Sequence, residues 1–416
     1  MKGQTQNLFT RKANSLCDGN WRLPTRKNES WRYTSVQLLE KANYLAQPFG
    51  PTRENIEPSI YTIPRLDAFQ LVFVDGQLNT ALSQLTQLNN EEGVIALLFS
   101  EANENLQQII RSAVNSCVDL SKHPFALLNN NQTQEGVYVA VEKGVRLEKP
   151  IQIVNLTTER ESEYGVAPRL FVDLAKHAEA TIIEHFLSID EEQNAFVNGL
   201  TELQLAEGSR LNYYRLNCED EASRHIAGIH ANLEDSACLN CFCMSLGGSL
   251  KRFDVNTTFS GAAAHCELNG IYLPRGNQHI DFHTCVEHAV PRCSSEQNFR
   301  GIVADSARAV FNGRIHIHEN APHTNAHMNN RNLLTSNKAE GDTKPELEIY
   351  TDDVQCSHGA TVAQLDSEAV AYLQSRGIEL SHARRMLSFG FINQLIENLD
   401  HQAIAEYLRP ITIEFF

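Results

Sequence analysis

The period of the apolar positions changes twice along the chain. In residues 1–134 apolar residues recur at helical spacing in windows near 34–46, 79–88 and 101–120. In the last window Leu106, Ile109, Ile110 and Val114 share a face with Ala113 beside them. Between the windows, Leu71-Val72-Phe73-Val74-Asp75-Gly76 reads as a short strand running into a turn. This zone is expected to be a mixed, mostly helical lobe. In residues 135–362 the pattern becomes short alternating strands broken by small turn residues. In residues 363–416 it returns to helical spacing.

The middle zone carries a weak internal repeat: an acidic or glycine turn, a small residue, then an alternating strand. The small residue falls at 145, 178, 209, 236, 262 and 306, at spacings of 33, 31, 27, 26 and 44, the last close to two shorter periods. A repeat of this size predicts a β-solenoid, each coil stacking on the next. A β-sandwich alternates similarly but gives less reason for one turn signature to recur.

The last zone predicts two helices. Asp366 or Ser367 can cap the first, Gly377 can close it in a left-handed conformation, and Ser381 can cap the second. Along the second helix Leu387, Phe391, Leu395 and Leu399 recur every four residues, with Ile392 and Ile396 on the next row. Such a broad apolar face packs on the rest of the chain or docks a partner.

Composition narrows the function. The 416 residues are 42% hydrophobic and 21% charged, a soluble globular balance long enough for two or three structural parts. A net charge of −16 argues against nucleic acid or an anionic membrane as main partner. Residues 1–7 lack the layout of a secretory signal, and aliphatic runs such as 94–99 are too short to span a bilayer. Ten cysteines are too few for a disulfide scaffold, so reduced thiols in a cytoplasmic compartment are expected.

Several clusters could carry chemistry. In Cys356-Ser357-His358, on an expected strand edge, thiol and imidazole point to the same face as candidate metal ligands. Cys238, Cys241 and Cys243 suggest a metal knuckle, yet no second cysteine pair lies at zinc-ribbon spacing, and buried cysteines behave as small apolar residues. In the 279–287 strand His279, Asp281, His283, Cys285 and Glu287 share one face, and Ile280, Phe282 and Val286 the other. Alternate residues on a strand lie about 7 Å apart, so neighbouring coils would have to complete a metal site; a solvated stripe is the simpler expectation. His316 and His318 share a face, His323 and His327 follow in an expected loop, and 338–344 reads as a charged loop. Phosphate loops, nucleophile elbows, dinucleotide fingerprints and zincin helices are missing.

Taken together, His283-Thr284, Phe299-Arg300-Gly301-Ile302-Val303, Ala309-Val310-Phe311-Asn312-Gly313, Asn332-Leu333-Leu334, the run from Lys344 through Val362, and Tyr372-Leu373-Gln374-Ser375-Arg376-Gly377-Ile378 resemble the SufB/SufD family of SUF iron–sulfur cluster assembly proteins. The match is dense from about 280 to 392 and thinner earlier, at Trp31-Arg32-Tyr33-Thr34 and Phe73-Val74-Asp75-Gly76. The Cys-Ser-His-Gly-Ala-Thr-Val wording is like the SufD branch; SufB typically has a Glu-His-Glu-Ala version there. The resemblance implies a right-handed parallel β-helix flanked by an N-terminal lobe and a C-terminal helical region. It implies a non-enzymatic scaffold in a complex with SufB and the ABC-type ATPase SufC, with a transient iron–sulfur cluster forming at the SufB interface and none permanently bound. His358 then matches the cluster-site histidine and tentative metal ligand, and Cys356 a neighbour of less certain role. The face bearing Leu387, Phe391 and Leu395 becomes the ATPase-docking surface. An exposed β-helix edge would also permit a homodimer of the isolated chain. Two other readings remain at this point: a glycan-active β-helix enzyme, which would need a carboxylate-lined groove, and a stand-alone metal-binding protein using the 279–287 stripe.

Overall fold

A computed structural model of the chain describes residues 23–42, 44–46, 56–133, 135–190 and 195–415. Alternate strands fall into two sheets. The first runs from Val94–Leu98 through Val137–Val141, Arg169–Leu174, Ala195–Leu205, Arg224–Leu233, Leu250–Phe259, His279–His288 and Arg308–Ile317 to Glu340–Ile349. The second runs from Gln77–Leu78 through Phe69–Val74, Ile151–Thr157, Glu179–Ser188, Arg210–Cys218, Cys238–Leu246, His265–Leu273 and Ser294–Val303 to Thr324–Leu334 and Val354–Gln364. Along both sheets neighbouring strands are parallel, except at the N-terminal hairpin of Phe69–Val74 with Gln77–Leu78 and the pair Val94–Leu98 with Val137–Val141. Parallel pairing of every second strand makes a β-solenoid and rules out the sandwich.

One corner of each coil repeats a left-handed residue: Gly144, His177, Gly208, Ser236, Ala263, Arg292 and His323, spaced 27 to 33 residues apart. Their backbone N–H groups donate to the next coil, from Gly144 to the Lys176 carbonyl (2.9 Å) through to His323 donating to Asp353 (2.6 Å). The repeat read from sequence is this corner, with one correction. Asp305 belongs to the opposite corner with Gly248 and Gly276, and the Ser306 N–H donates to the Gly276 carbonyl. The spacing of 44 is therefore a jump between corners rather than two periods.

One-to-one register stacks like side chains inside the solenoid. Phe253 faces Phe282, and Phe282 faces Phe311; Phe299 of the second sheet lies between the latter two, with ring centroids 5.5 and 5.0 Å away. Aromatic pairs at such separations add to area burial.

The strands Phe69–Val74 and Val94–Leu98 join the sheets, so the solenoid begins inside the N-terminal zone. The helices there are shorter than the windows suggested: Gln37–Lys41, Leu85–Leu88 and Glu104–Ala113, with an unforeseen one at Pro124–Gln132. Each sheet's outer face is covered by one end of the chain. Trp31, Leu39, Phe125 and Leu128 pack on Phe196, Ile226 and Leu250 of the first sheet. Helices Leu380–Glu397 and Gln402–Glu414 pack on the second sheet through Ile392, Leu395, Ile396, Ile404 and Leu408 against Ile183, Tyr214, Phe242 and Ile271. Asp366 caps the preceding helix, Ser367–Ser375, as expected, accepting from the Glu368 N–H at 2.9 Å. The following helix begins after Glu379, so Ser381 lies within it and does not cap it. No helix among the described residues is long and apolar enough to cross a membrane.

Candidate functional site at the open end of the solenoid

The last coil is made of Glu340–Ile349 and Val354–Gln364, the outermost strands of the two sheets. Residues 340–344, read from sequence as loop, belong to the first of these. Their strand conformation comes from pairing with Arg308–Ile317 and from ion pairs such as Arg308 Nη2 to Asp342 Oδ2 (2.6 Å), not from apolar alternation. Pro345 fits here because an edge strand tolerates a missing N–H. Among the described residues no strand pairs with the outer edge of either strand, and Ile349, Tyr350 and Val362 are exposed there.

Cys356 pairs in register with Ala326, and His358 with Met328. Ala326 and Met328 are interior residues, so Cys356 and His358 continue an inward-facing column onto the uncovered end. Cys356 is half-buried against the core, and burial pushes its thiol above the usual value. His358 is exposed. Together they offer one soft sulfur and one nitrogen donor, fewer than an iron–sulfur cluster requires.

The other candidates fall elsewhere. Cys241 and Cys243 point into the interior with sulfurs 3.9 Å apart, and the Cys243 thiol together with burial pushes Cys241 well above the usual value. They pack as small apolar residues. The 279–287 face is not a solvated stripe over its first half, because residues 30–34 cover it. Asp281 accepts from Arg252 Nη1 at 2.8 Å and also from the Thr34 hydroxyl, while the Trp31 ring lies 3.8 Å from the Arg252 guanidinium carbon. Burial alone would raise the Asp281 carboxyl, but His283 and Arg252 hold it at about 2.

The four later histidines all have partners. His323 Nδ1 lies 2.8 Å from Asp353, and His327, on a strand and not in a loop, bonds Ser357 Oγ at 2.6 Å. His316 and His318 both meet Glu287. These three form the only close cluster of at least three metal-type donors among the described residues. Sequence reasoning set Glu287 and His316 apart; only the coil register joins them.

The apolar face of helix Leu380–Glu397 is correctly read as apolar but not as free. Leu395 is 6% exposed against the chain's own second sheet, and Phe391 packs on the same cluster with Arg300 against its ring. Leu387 is half-buried. The exposed apolar residues of the C-terminal helices are Tyr372, Leu380, Met386 and Ile413. Leu395 thus covers the sheet's outer face.

Comparison with known proteins agrees with this architecture. Residues 156–391 match the family model for the SufBD core domain of SUF-system FeS cluster assembly, and residues 11–153 match the SufBD protein N-terminal region. The chain is 33% identical to the iron–sulfur cluster assembly protein SufD of Escherichia coli, over 92% of this chain and 87% of that protein. It is 27% identical to an iron–sulfur cluster assembly SufBD family protein of Synechocystis over 98% and 91%. It is 24% identical to the SufD of Bacillus subtilis over 81% and 77%. The chain belongs to the SufBD family of the SUF iron–sulfur cluster assembly system.

Proposed function

We propose that the chain is the SufD-type scaffold subunit of a complex with a SufB paralogue and the SufC ATPase, working without turnover of its own in a reducing, cytoplasmic compartment. The observation that carries this is the uncovered last coil, where two open sheet edges surround His358 and Cys356. An open edge with exposed Ile349, Tyr350 and Val362 suits pairing with a second solenoid of the same kind. The nascent cluster is the cargo. Imidazole and thiolate are fitting ligands for it, but this chain supplies too few, so the partner completes the set. Cluster formation is thereby tied to complex formation.

SufC docking falls to the exposed side of the C-terminal helices around Tyr372, Leu380 and Met386, with Leu387 at its border. Those helices rest on the second sheet, so a movement driven by ATP would reach the strand bearing His358 through packed elements, a two-state switch. The test is co-expression with SufB and SufC. The wild-type chain should co-purify with both. His358→Ala should retain the complex while cellular iron–sulfur enzyme activity falls to the level of a strain lacking the chain. Full activity of that variant refutes the site, and failure to form any complex refutes the scaffold reading.

A further inference from the structure

We propose that Glu287, His316 and His318 form a binding site for a single divalent first-row transition metal, on the opposite sheet from His358 and Cys356 and with all three ligands from this chain. The site is assembled by register. Glu287 lies near the end of strand His279–His288, and His316 is its direct partner on the adjacent strand Arg308–Ile317. His318 follows that strand, and its backbone N–H donates to the His288 carbonyl at 3.0 Å, holding it beside the Glu287 strand. Two coils therefore deliver three donors to one place.

The geometry is convergent. Nδ1 of His316 lies 2.6 Å and Nε2 of His318 lies 2.8 Å from the same carboxylate oxygen, Oε2 of Glu287. The two imidazole rings lie face to face, 4.1 Å apart and tilted by 32°. All three donor atoms fall within 4.8 Å of one another. A metal with bonds of about 2.0–2.2 Å would hold its ligand atoms roughly 3.3 Å apart. Small side-chain rotations suffice to open the present hydrogen-bonded triangle to that size.

The surroundings are those of a supported ligand set. Arg314, the nearest cation, is held by Glu348 through Nε (2.9 Å) and Nη2 (2.8 Å), so its charge is already met. It also lies 3.6 Å from Glu287 Oε1 and 3.4 Å from His316 Nδ1, so a metal at His316 would displace that second contact. The Cys285 thiol donates to Glu287 Oε1 at 3.5 Å and helps fix the carboxylate. Two imidazoles and one carboxylate suit iron(II) or zinc(II) and are a poor match for magnesium or calcium.

The test uses the full chain, purified without partners, stripped with chelator and titrated under anaerobic conditions with Co²⁺ as a spectroscopic probe, then with Fe²⁺ and Zn²⁺ in competition. The expected result is one Co²⁺ per chain with visible d–d bands, displaced by Zn²⁺. His316→Ala, His318→Ala and the near-isosteric Glu287→Gln should each weaken binding at least tenfold, with unchanged circular dichroism and melting. His358→Ala should bind as wild type, which keeps this site distinct from the one proposed at the open end. No saturable binding below millimolar Co²⁺ overturns the proposal. So does undiminished affinity in Glu287→Gln together with either folded histidine variant.

Discussion

His358 stands in register with Met328, one strand outward in the second sheet. Met328 is sealed inside the solenoid, while His358 occupies the equivalent inward position with no further coil above it among the described residues. The same relation joins Cys356 to Ala326. Stacking one more strand in register thus leaves a thiol and an imidazole side by side on a rigid ladder.

Burial raises the Cys356 thiol above its ordinary value. The thiolate is the reactive form, so at neutral pH this cysteine should alkylate with iodoacetamide more slowly than free cysteine, and faster as pH rises past the normal thiol range. Mass spectrometry of the 356-containing peptide over time measures this. Alkylation at the rate of free cysteine at neutral pH contradicts the packing described.

Leu395 and Met386 lie on one helix yet face different surroundings. Leu395 is buried on the second sheet and Met386 is 49% exposed. Leu395→Ala should cost about 3 kcal/mol of stability, read as a lowered urea midpoint, with little direct effect on partner binding. Met386→Ala should stay within about 0.5 kcal/mol, and Met386→Asp should weaken SufC binding at unchanged stability. Reversed effects of the two positions would return the docking surface to the Leu395 side.

How legible these features are in sequence depends on whether the cause is local. The alternation of Ile280, Phe282 and Val286 against His279, Asp281 and His283 is visible because only one face of that strand enters the core. The corner repeat is visible because each left-handed turn uses small or polar residues, and the same chemistry at the opposite corner made Asp305 look like one more member. Strand Glu340–Ile349 is hidden because its charged residues are held by Arg308 and Arg314 of the preceding coil. Whether Leu395 packs on the chain or on a partner stays open in sequence, because nothing local says that the second sheet's outer face is also apolar. The Glu287 and His316 pair needs the register itself.

Two glycines separate the roles of space and backbone. Gly144 has φ 72°, and an added Cβ meets nothing within 4 Å. At Gly261 a Cβ would fall 1.9 Å from the Asp235 backbone nitrogen of the preceding coil. Gly144→Ala should therefore cost about 1 kcal/mol of left-handed strain. Gly261→Ala should cost roughly 2–3 kcal/mol, because backbone must move. Urea unfolding of both variants should show this order; equal midpoints would mean the coils are looser than drawn.

Acid stability follows from four buried histidines. Burial lowers His185 and His225 to about 4 and His230 and His288 to about 3. His185 sits between Gln152 and the Tyr407 hydroxyl, joining the second sheet to the last helix. In the unfolded chain these groups take up protons near pH 6.5, whereas the folded chain keeps them neutral down to their lowered values. Their contribution is present above pH 6.5 and is lost as pH falls from there toward 4 and then 3. Within that window each fully buried group costs up to about 1.4 kcal/mol per pH unit. Calorimetry should show a level melting temperature above pH 7 and a steep fall between pH 6 and 4. His185→Gln, which cannot take up a proton, should make that fall shallower even if it lowers the plateau. A melting temperature unchanged from pH 7 to pH 5 would show that these rings are solvated in the fold.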